Sequence, residues 1–179
     1  AVGVSLGGNA LLKWLGEQGG EACTVLAAAA SVSAPLDLMA AGDALGRGFN
    51  LLYTRAFLAT LRRKSTAKLA QYPGLYDRDA VLRARTLREF DNVVTAPLHG
   101  FRDTDDYWTR SSSRPWLSRI GVPTLLVNAR NDPFLPAHAL PSSSDVSAEM
   151  QCEFPDEGGH AGFVTGAFPG HINWPARRI

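Results

Sequence analysis

The sequence predicts an α/β fold in which a parallel sheet is interrupted by a long helical insertion. Three observations predict it. Residues 1–32 read as strand, tight turn, helix and strand, residues from about 36 to 118 carry helical patterns with almost no strand, and the last third returns to short buried strands. Strands that alternate with helices form parallel sheets with helices on both faces.

The composition is that of a globular domain. The chain has 179 residues, with 18 Lys and Arg against 17 Asp and Glu and an apolar fraction of 45%. This length suits one domain with a real core. The near-neutral balance excludes a disordered charged tail and argues against nucleic acid as the main partner. No apolar run approaches the roughly 20 residues that a membrane-spanning helix requires.

The opening segment contains three predicted elements. Residues 1–4 form the end of a buried strand, and residues 9–17 form a helix that Gly19 and Gly20 stop. Residues 23–32 have the length and boundaries of a second buried strand, although their alanines would suit a helix equally well.

The middle segment contains three predicted helices. They span residues 49–64, residues 79–90 with Asp77 or Asp79 as the cap, and residues 103–111. The first ends in the basic run 62–64, which fits a solvated helix end or, alternatively, a helix that faces lipid. A helical insert between two α/β stretches, over about 36–118, is what a cap over an active site would look like.

The last segment supplies two more predicted strands. Residues 123–128 form a buried strand, followed by a loop over 129–134. Residues 148–154 alternate apolar and polar side chains and lead into the glycine-rich stretch 156–163.

The strongest motif is Gly3-Val4-Ser5-Leu6-Gly7, which matches G-x-S-x-G. In this pattern, glycines two positions before and after the serine relieve the clash of a sharp strand-to-helix turn. A strained serine then stands above the sheet, and the backbone N–H of Leu6 faces any oxyanion that forms. The composition gives only about 0.1 chance matches, and a strand before and a helix after are the context that the motif requires.

A serine nucleophile needs a base, and the base needs an orienting acid. His160 follows a predicted strand among glycines, and Asp132 follows the preceding strand. The other reading of residues 131–133 is a plain Asx turn, and His99, His138 and His171 fit structural or surface roles. The order Ser5, Asp132, His160 is the order of one fold of serine hydrolases.

Other chemistries find no support in the sequence. It has no Walker-type loop, no G-x-G-x-x-G and no metal-ligand spacing, so neither a cofactor nor a metal is expected. Cys23 and Cys152 lie far apart and fit neither a zinc site nor a disulfide framework, which favours a reducing, cytoplasmic compartment.

These motifs resemble the YheT-like α/β-hydrolases, a family of predicted esterases. The resemblance runs from end to end of the chain and rests on GVSLGGN at 3–9, SAP at 33–35, KLAQYPG at 68–74, REFD at 88–91, HGF at 99–101, NDPF at 131–134 and GGHAGF at 158–163. It implies the α/β-hydrolase fold, with Ser5 as nucleophile, His160 as base, Asp132 as acid and the insert as a cap.

The resemblance also implies that residues 1–179 form the C-terminal part of one α/β-hydrolase domain. The first strands of the sheet, a final helix and the second oxyanion donor would lie outside the chain. We therefore expect residues 1–179 alone to be loosely packed or insoluble, and inactive.

The sequence thus predicts a serine hydrolase of carboxylic esters with short- to medium-chain acyl groups or of lipid esters. The partners expected are the ester substrate and a transient lipid or membrane contact through the cap, with no nucleic acid. Two alternatives stay open, namely acyl transfer by the same triad and a binding protein that keeps the fold without turnover. The oligomeric state does not follow from the sequence.

Overall fold

A computed structural model describes residues 1–167, 169–172 and 174–179. In chain order the strands are β1 Val2–Val4, β2 Ala29–Val32, β3 Thr124–Val127 and β4 Met150–Glu153. The α-helices are α1 Leu6–Gln18, α2 Leu38–Leu45, α3 Leu51–Gln71, α4 Arg78–Arg83, α5 Leu87–Val93, α6 Thr95–Leu98, α7 Thr104–Ser111 and α8 Trp174–Arg178. Short 3₁₀ turns occupy Gly19–Thr24, Gly48–Asn50, Arg114–Arg119 and Ala137–Ala139.

The chain divides into two compact units. The sheet unit comprises Ala1–Ala41 and Ser111–Ile179, and the helical unit comprises Gly42–Arg110. All strands of the described residues lie in the sheet unit. Within the same residues, no helix is both long and apolar enough to cross a bilayer.

The sheet is parallel throughout, with the strand order β1-β2-β3-β4. The register aligns the last residues of the strands, so that Val4, Val32, Val127 and Glu153 form one row. The loops that follow β1, β2, β3 and β4 consequently leave the sheet at the same edge, which is where parallel sheets collect functional side chains.

The two faces of the sheet are packed differently. The row Gly3, Ser31, Leu126 and Cys152 faces the larger core, where Leu12 and Leu15 of α1 are fully buried. Leu117 of the 3₁₀ turn before β3 joins that core. The opposite face carries a smaller cluster of Val32, Val127, Ala129 and Phe163, against which Trp174 of α8 packs.

The helical unit has a core of its own, formed by Leu58, Val81, Ala84, Phe90 and Val94. The REFD motif at 88–91 builds this unit. Arg88 forms ion pairs with Asp43 and Asp105, and Asp91 accepts hydrogen bonds from Thr95 and Trp108. Burial raises the pKa of Asp91 above its ordinary value, and these two donors only partly oppose that effect.

Several predicted elements are confirmed. The strands at 1–4, 123–128 and 148–154 correspond to β1, β3 and β4, and the helix at 103–111 corresponds to α7. The helices α2 and α6 were not predicted individually, but both lie in the segment where helix without strand is expected.

Two predicted boundaries are wrong because they overlooked local capping or pairing. The predicted helix 79–90 is split in two, since Thr86 caps a new helix by accepting the N–H of Glu89. The predicted strand 23–32 begins only at Ala29, because the preceding residues continue α1 as a 3₁₀ turn and β3 pairs no residue before Ala29.

Two helices are longer than predicted. α1 begins at Leu6, immediately after the serine, and not at residue 9. α3 continues past the basic run to Gln71, because no helix-breaking residue occurs before Pro73 and Gly74.

Candidate active site

Ser5 occupies the turn between β1 and α1 in a strained conformation. Its φ of 53° and ψ of −129° are rare for a residue with a side chain. The turn is held by hydrogen bonds on both sides. Ser5 N–H donates to Val32 O at 2.9 Å, and Ser5 O accepts from the N–H groups of Gly8 and Asn9. The strain expected of the G-x-S-x-G serine is therefore present.

The glycines around Ser5 have different roles. A Cβ atom on Gly3 would lie 2.6 Å from Gly7 O and 2.7 Å from Gly8 Cα. A Cβ on Gly8 would lie 2.5 Å from Ser31 Oγ, whereas a Cβ on Gly7 would meet nothing within 4 Å. The expectation that Gly3 and Gly7 both relieve the turn by lacking side chains is wrong for Gly7, because its Cβ direction points into open space. Gly8 is the second position where a side chain would clash.

The structure brings Ser5, His160 and Asp132 together. His160 Nε2 lies 2.9 Å from Ser5 Oγ, although the residues are 155 positions apart in the chain. On the other side of the ring, Nδ1 lies 2.9 Å from Asp132 Oδ2 and 3.2 Å from Oδ1. Asp132 sits in the loop after β3 and His160 in the loop after β4, at the edge of the sheet where β1 delivers Ser5.

Asp132 forms an Asx turn and also contacts the imidazole of His160, so its two interpretations from the sequence are compatible in geometry. Asp132 Oδ1 accepts the N–H of Phe134 at 2.8 Å, which is an Asx turn, while Oδ2 faces the imidazole. The side chain is almost completely buried, and the Phe134 ring packs on His160 with 4.2 Å between centroids. The turn therefore fixes the carboxylate that contacts His160.

The protonation pattern of the imidazole follows from its neighbours. An ionised carboxylate only accepts hydrogen bonds, so Nδ1 carries the proton in the Asp132 contact. Nε2 of the neutral ring is then the acceptor that faces the Ser5 hydroxyl. Leu6 is the first residue of α1, so its N–H has no hydrogen-bond acceptor within the helix. This N–H lies at the positive end of the helix dipole.

The loop that carries His160 is held on both flanks of the histidine. Gly159 N–H donates to Asn131 Oδ1 at 2.8 Å, and Ala161 N–H donates to Ser33 Oγ at 2.9 Å. Sequence reasoning missed both acceptors. The motifs SAP at 33–35 and NDPF at 131–134 contain them, but neither motif by itself indicates a partner 28 or 128 positions away.

The remaining histidines and nearby acids lie elsewhere. His99 and His138 are exposed, and His171 contacts Thr165. Asp156, close to His160 in sequence, pairs with Arg130 at 3.5 Å. Within residues 1–167, 169–172 and 174–179, no group of three or more His, Cys, Asp or Glu side chains could hold a metal ion.

The chain resembles several proteins over its whole length. It is 37% identical to YheT of Escherichia coli (strain K12) over 181 residues, which cover 100% of this chain and 53% of YheT. It is 36% identical to the mouse phospholipase ABHD3 over 94% of this chain and 41% of that protein. The chain thus spans about half the length of the curated relatives it matches, and the resemblance to YheT is confirmed.

A solved structure shares the fold. The α/β-fold family hydrolase of Bacillus anthracis superposes with a TM-score of 0.52 at 14% identity, over 99% of this chain and 63% of that one. The family model for the alpha/beta hydrolase fold matches residues 1–167. The α/β architecture with a parallel sheet is therefore confirmed, and the chain belongs to the alpha/beta hydrolase fold family.

Proposed function

We propose that the protein hydrolyses carboxylic esters, with Ser5 as nucleophile, His160 as general base and Asp132 as the acid that orients it. The observation that carries the proposal is the 2.9 Å separation of Ser5 Oγ and His160 Nε2, with Asp132 on the opposite ring nitrogen. A hydroxyl, a base and an orienting carboxylate in this order can activate a serine for acyl transfer.

The first half of the reaction forms an acyl-enzyme. Ser5 Oγ attacks the ester carbonyl carbon while its proton passes to His160 Nε2. The carbonyl oxygen becomes an oxyanion that the Leu6 N–H stabilises, with the positive end of α1 behind it. When the tetrahedral intermediate collapses, the bond to the leaving alcohol breaks and the alcohol oxygen takes the proton from Nε2.

The second half consumes water. His160 Nε2 accepts a proton from a water molecule, whose oxygen attacks the acyl carbon. Collapse of this second intermediate releases the carboxylic acid and returns the proton to Ser5 Oγ. In both halves the imidazole becomes positively charged, and the adjacent Asp132 carboxylate stabilises that charge.

The named relatives support an ester substrate without specifying one. The name of the E. coli relative describes a predicted esterase, and that of the mouse relative a phospholipase. We propose a small-molecule or lipid ester with an apolar acyl chain, and we propose that the helical unit is the cap. If the helical unit caps the site, the enzyme should prefer acyl chains of a particular length.

The test uses the full-length protein that contains residues 1–179, with nitrophenyl esters of increasing acyl length and with a fluorophosphonate probe, which reacts only with an activated serine. Wild type should release nitrophenol and become labelled at Ser5, and Ser5→Ala should do neither. If an added alcohol increases the release of nitrophenol and is itself converted into a new ester, the protein catalyses acyl transfer. A folded protein that neither turns over nor reacts with the probe would contradict the proposal and indicate a binding protein.

We also propose that α3 contacts an anionic lipid surface. Helix α3 has no acidic residue, and its exposed basic side chains are Arg55, Arg63, Lys64 and Lys68. Large apolar side chains are exposed at its N-terminal end and in the 3₁₀ turn before it, where Leu52 is 51% and Phe49 77% exposed. Cationic and apolar side chains along one exposed helix favour the interface of a negatively charged bilayer.

Co-sedimentation with vesicles tests the lipid contact. The protein should bind vesicles of phosphatidylcholine and phosphatidylserine, weaken in high salt, and bind phosphatidylcholine alone poorly. Arg63→Glu combined with Lys64→Glu should remove the binding, whereas Arg78→Glu, an exposed change outside α3, should not. Equal binding by the α3 variant would contradict this proposal and leave the ester hydrolase proposal unaffected.

A further inference from the structure

The two residues next to His160 in the chain are each hydrogen-bonded to the segment that follows a different strand of the sheet. Gly159 N–H donates to Asn131 Oδ1 in the loop after β3, and Ala161 N–H donates to Ser33 Oγ at the end of β2. The backbone of this loop is strained at Ala161, which has a φ of 60° although it carries a side chain, whereas Gly159 adopts the same φ without strain. The loop therefore depends on external contacts to hold the imidazole in place.

Ser33 also lies beside the strand that carries Ser5. Its neighbour Val32 accepts the Ser5 N–H at 2.9 Å, and Ser33 N–H donates to Val127 O at 2.7 Å. Two consecutive residues at the end of β2 thus hold Ser5 through a carbonyl and the His160 loop through a hydroxyl. The end of β2 therefore contacts both the Ser5 turn and the loop of His160.

The conformation of Ser33 indicates that its hydroxyl matters. Ser33 is 1% exposed and has a φ of 51°, a value that glycine adopts without strain and serine does not. What serine adds over glycine is the Oγ atom, and that atom accepts the Ala161 N–H. The backbone cost of a serine at this position is offset by a contact that acts on the His160 loop.

We propose that Ser33 and Asn131 are positioning residues that clamp the loop of His160 from both sides and set its Nε2 opposite Ser5 Oγ. This inference rests on the proposed function for its effect on the reaction, while the clamp itself is a structural claim. Both side chains accept hydrogen bonds from the backbone of the loop, so each would act on the reaction through His160. Misplacement of a reacting group by about 1 Å can cost about 10²-fold in rate, so loss of either contact should lower kcat by about 10- to 100-fold with little change in KM.

The experiment compares two substitutions at each position. Ser33→Ala removes the hydroxyl and keeps the strain, whereas Ser33→Gly removes the hydroxyl and relieves the strain. If Ser33 positions His160, kcat stays low in both variants although Ser33→Gly has the higher melting temperature. If Ser33 only stabilises the fold, kcat recovers with the melting temperature in Ser33→Gly, and the proposal is wrong.

At Asn131, one substitution should lower kcat and a second should restore it, which would not be expected of a purely structural residue. Its side chain is exposed, so Asn131→Ala should change the melting temperature little while lowering kcat. Asn131→Asp keeps an oxygen that can accept the Gly159 N–H and should restore most of the lost kcat. Ser147→Ala is the control, since it removes a buried hydroxyl that has no hydrogen-bond partner among the described residues and lies ahead of β4, at the other end of the strands.

A second readout separates the clamp from the proposed reaction. In ¹⁵N-labelled protein, the amides of Ala161 and Gly159 should exchange slowly, and Ser33→Ala and Asn131→Ala should each speed the exchange of the partner amide and shift the His160 imidazole resonances. If wild type has no esterase activity but these changes occur, the proposed function fails and the clamp stands. Unchanged His160 resonances, or an unchanged kcat in an active enzyme, would overturn the positioning role.

Discussion

Gly3 and Gly8 bring β1 and α1 into direct contact beneath Ser5, since a Cβ atom on Gly3 would lie 2.7 Å from Gly8 Cα. The clash would be with backbone, which cannot rotate away as a flexible side chain can. A turn this tight explains the φ of 53° at Ser5, because the chain must reverse from strand to helix within one residue.

The three glycines should respond differently to alanine. Gly3→Ala and Gly8→Ala should each destabilise the protein by about 1–3 kcal/mol, because the new methyl group overlaps its neighbours. Gly7→Ala should be neutral or stabilise the helix by up to about 1 kcal/mol. Urea denaturation with the Ser5 site intact measures this ranking. An equal loss in all three variants would show that the motif, and not the Cβ contacts, determines the cost.

The orphaned hydroxyl of Ser31 allows a double-mutant test of the same contact. Ser31 Oγ is buried, has no hydrogen-bond partner in the part of the chain that the structure describes, and lies 2.5 Å from the position of a Gly8 Cβ. Ser31→Ala should therefore recover part of the stability that Gly8→Ala loses, with a coupling of about 0.5–3 kcal/mol. Ser31→Ala combined with Gly3→Ala should show less coupling, and equal coupling in both pairs would contradict the contact.

Two carboxylates close to His160, Asp132 in space and Asp156 in sequence, are compared as the acid that orients the imidazole. Asp132→Asn should keep the geometry of the Asx turn, yet lower kcat by about 10²- to 10⁴-fold, because the amide can favour the wrong imidazole tautomer. Asp156→Asn is the matched control, since Asp156 pairs with Arg130 on the surface and should leave kcat unchanged. Steady-state kinetics on one nitrophenyl ester decides, and a larger loss in the Asp156 variant would exclude Asp132 as the acid.

Asp91 should make the stability of the protein depend on pH. Burial raises its pKa in the folded state, so the folded protein holds the Asp91 proton more tightly than the unfolded chain does. The stability that this proton contributes is fully present below the ordinary aspartate range and is lost as pH rises through the raised pKa. The free energy of unfolding of wild type, relative to that of Asp91→Asn, should therefore fall as the pH rises above the ordinary aspartate value of about 4.

Denaturation of both proteins across this range tests the Asp91 prediction. The lowered pKa values of Asp77, Asp106 and Asp145 act in the opposite direction, but they are common to both proteins and cancel in the difference. A difference that stays constant with pH would show that Asp91 has the same proton affinity in the folded and unfolded states.

The sequence was sufficient for elements that depend on local signals. The strand, the serine and the helix at 1–18 follow from one motif, and Asp132 and His160 follow from the rule that side chains after parallel strands meet at one edge. The start of β2 and the break at Thr86 could not be predicted from hydrophobic periodicity, because they depend on which residues find a pairing strand or a cap.

The contacts around His160 lie beyond sequence reasoning for a different reason. Ser33 and Asn131 accept hydrogen bonds from the backbone of a loop that is distant in the sequence. The identity of an acceptor side chain does not indicate which amide will donate to it. The role of Gly8 was missed in a similar way, since it depends on how closely β2 approaches α1.

The last prediction concerns residues 1–179 expressed by themselves. β1 lies at the end of the strand order and pairs only with β2 in the described residues, and Val2 and Val4 are 59% and 50% exposed. A cavity of about 460 Å³ opens on the same face, lined by Val2, Ala30, Leu125 and Gln151 among others. A strand that is unpaired along one side and lies next to an open apolar surface is a template for association with another chain.

We therefore expect residues 1–179 by themselves to bind a hydrophobic dye and to self-associate, as measured by dye fluorescence and light scattering. Val4→Lys should reduce the association, because a charge on an edge strand opposes pairing, whereas Val25→Lys, at a more exposed valine outside the sheet, should not. A monomeric wild-type chain that binds no dye would show that this edge and face do not drive association.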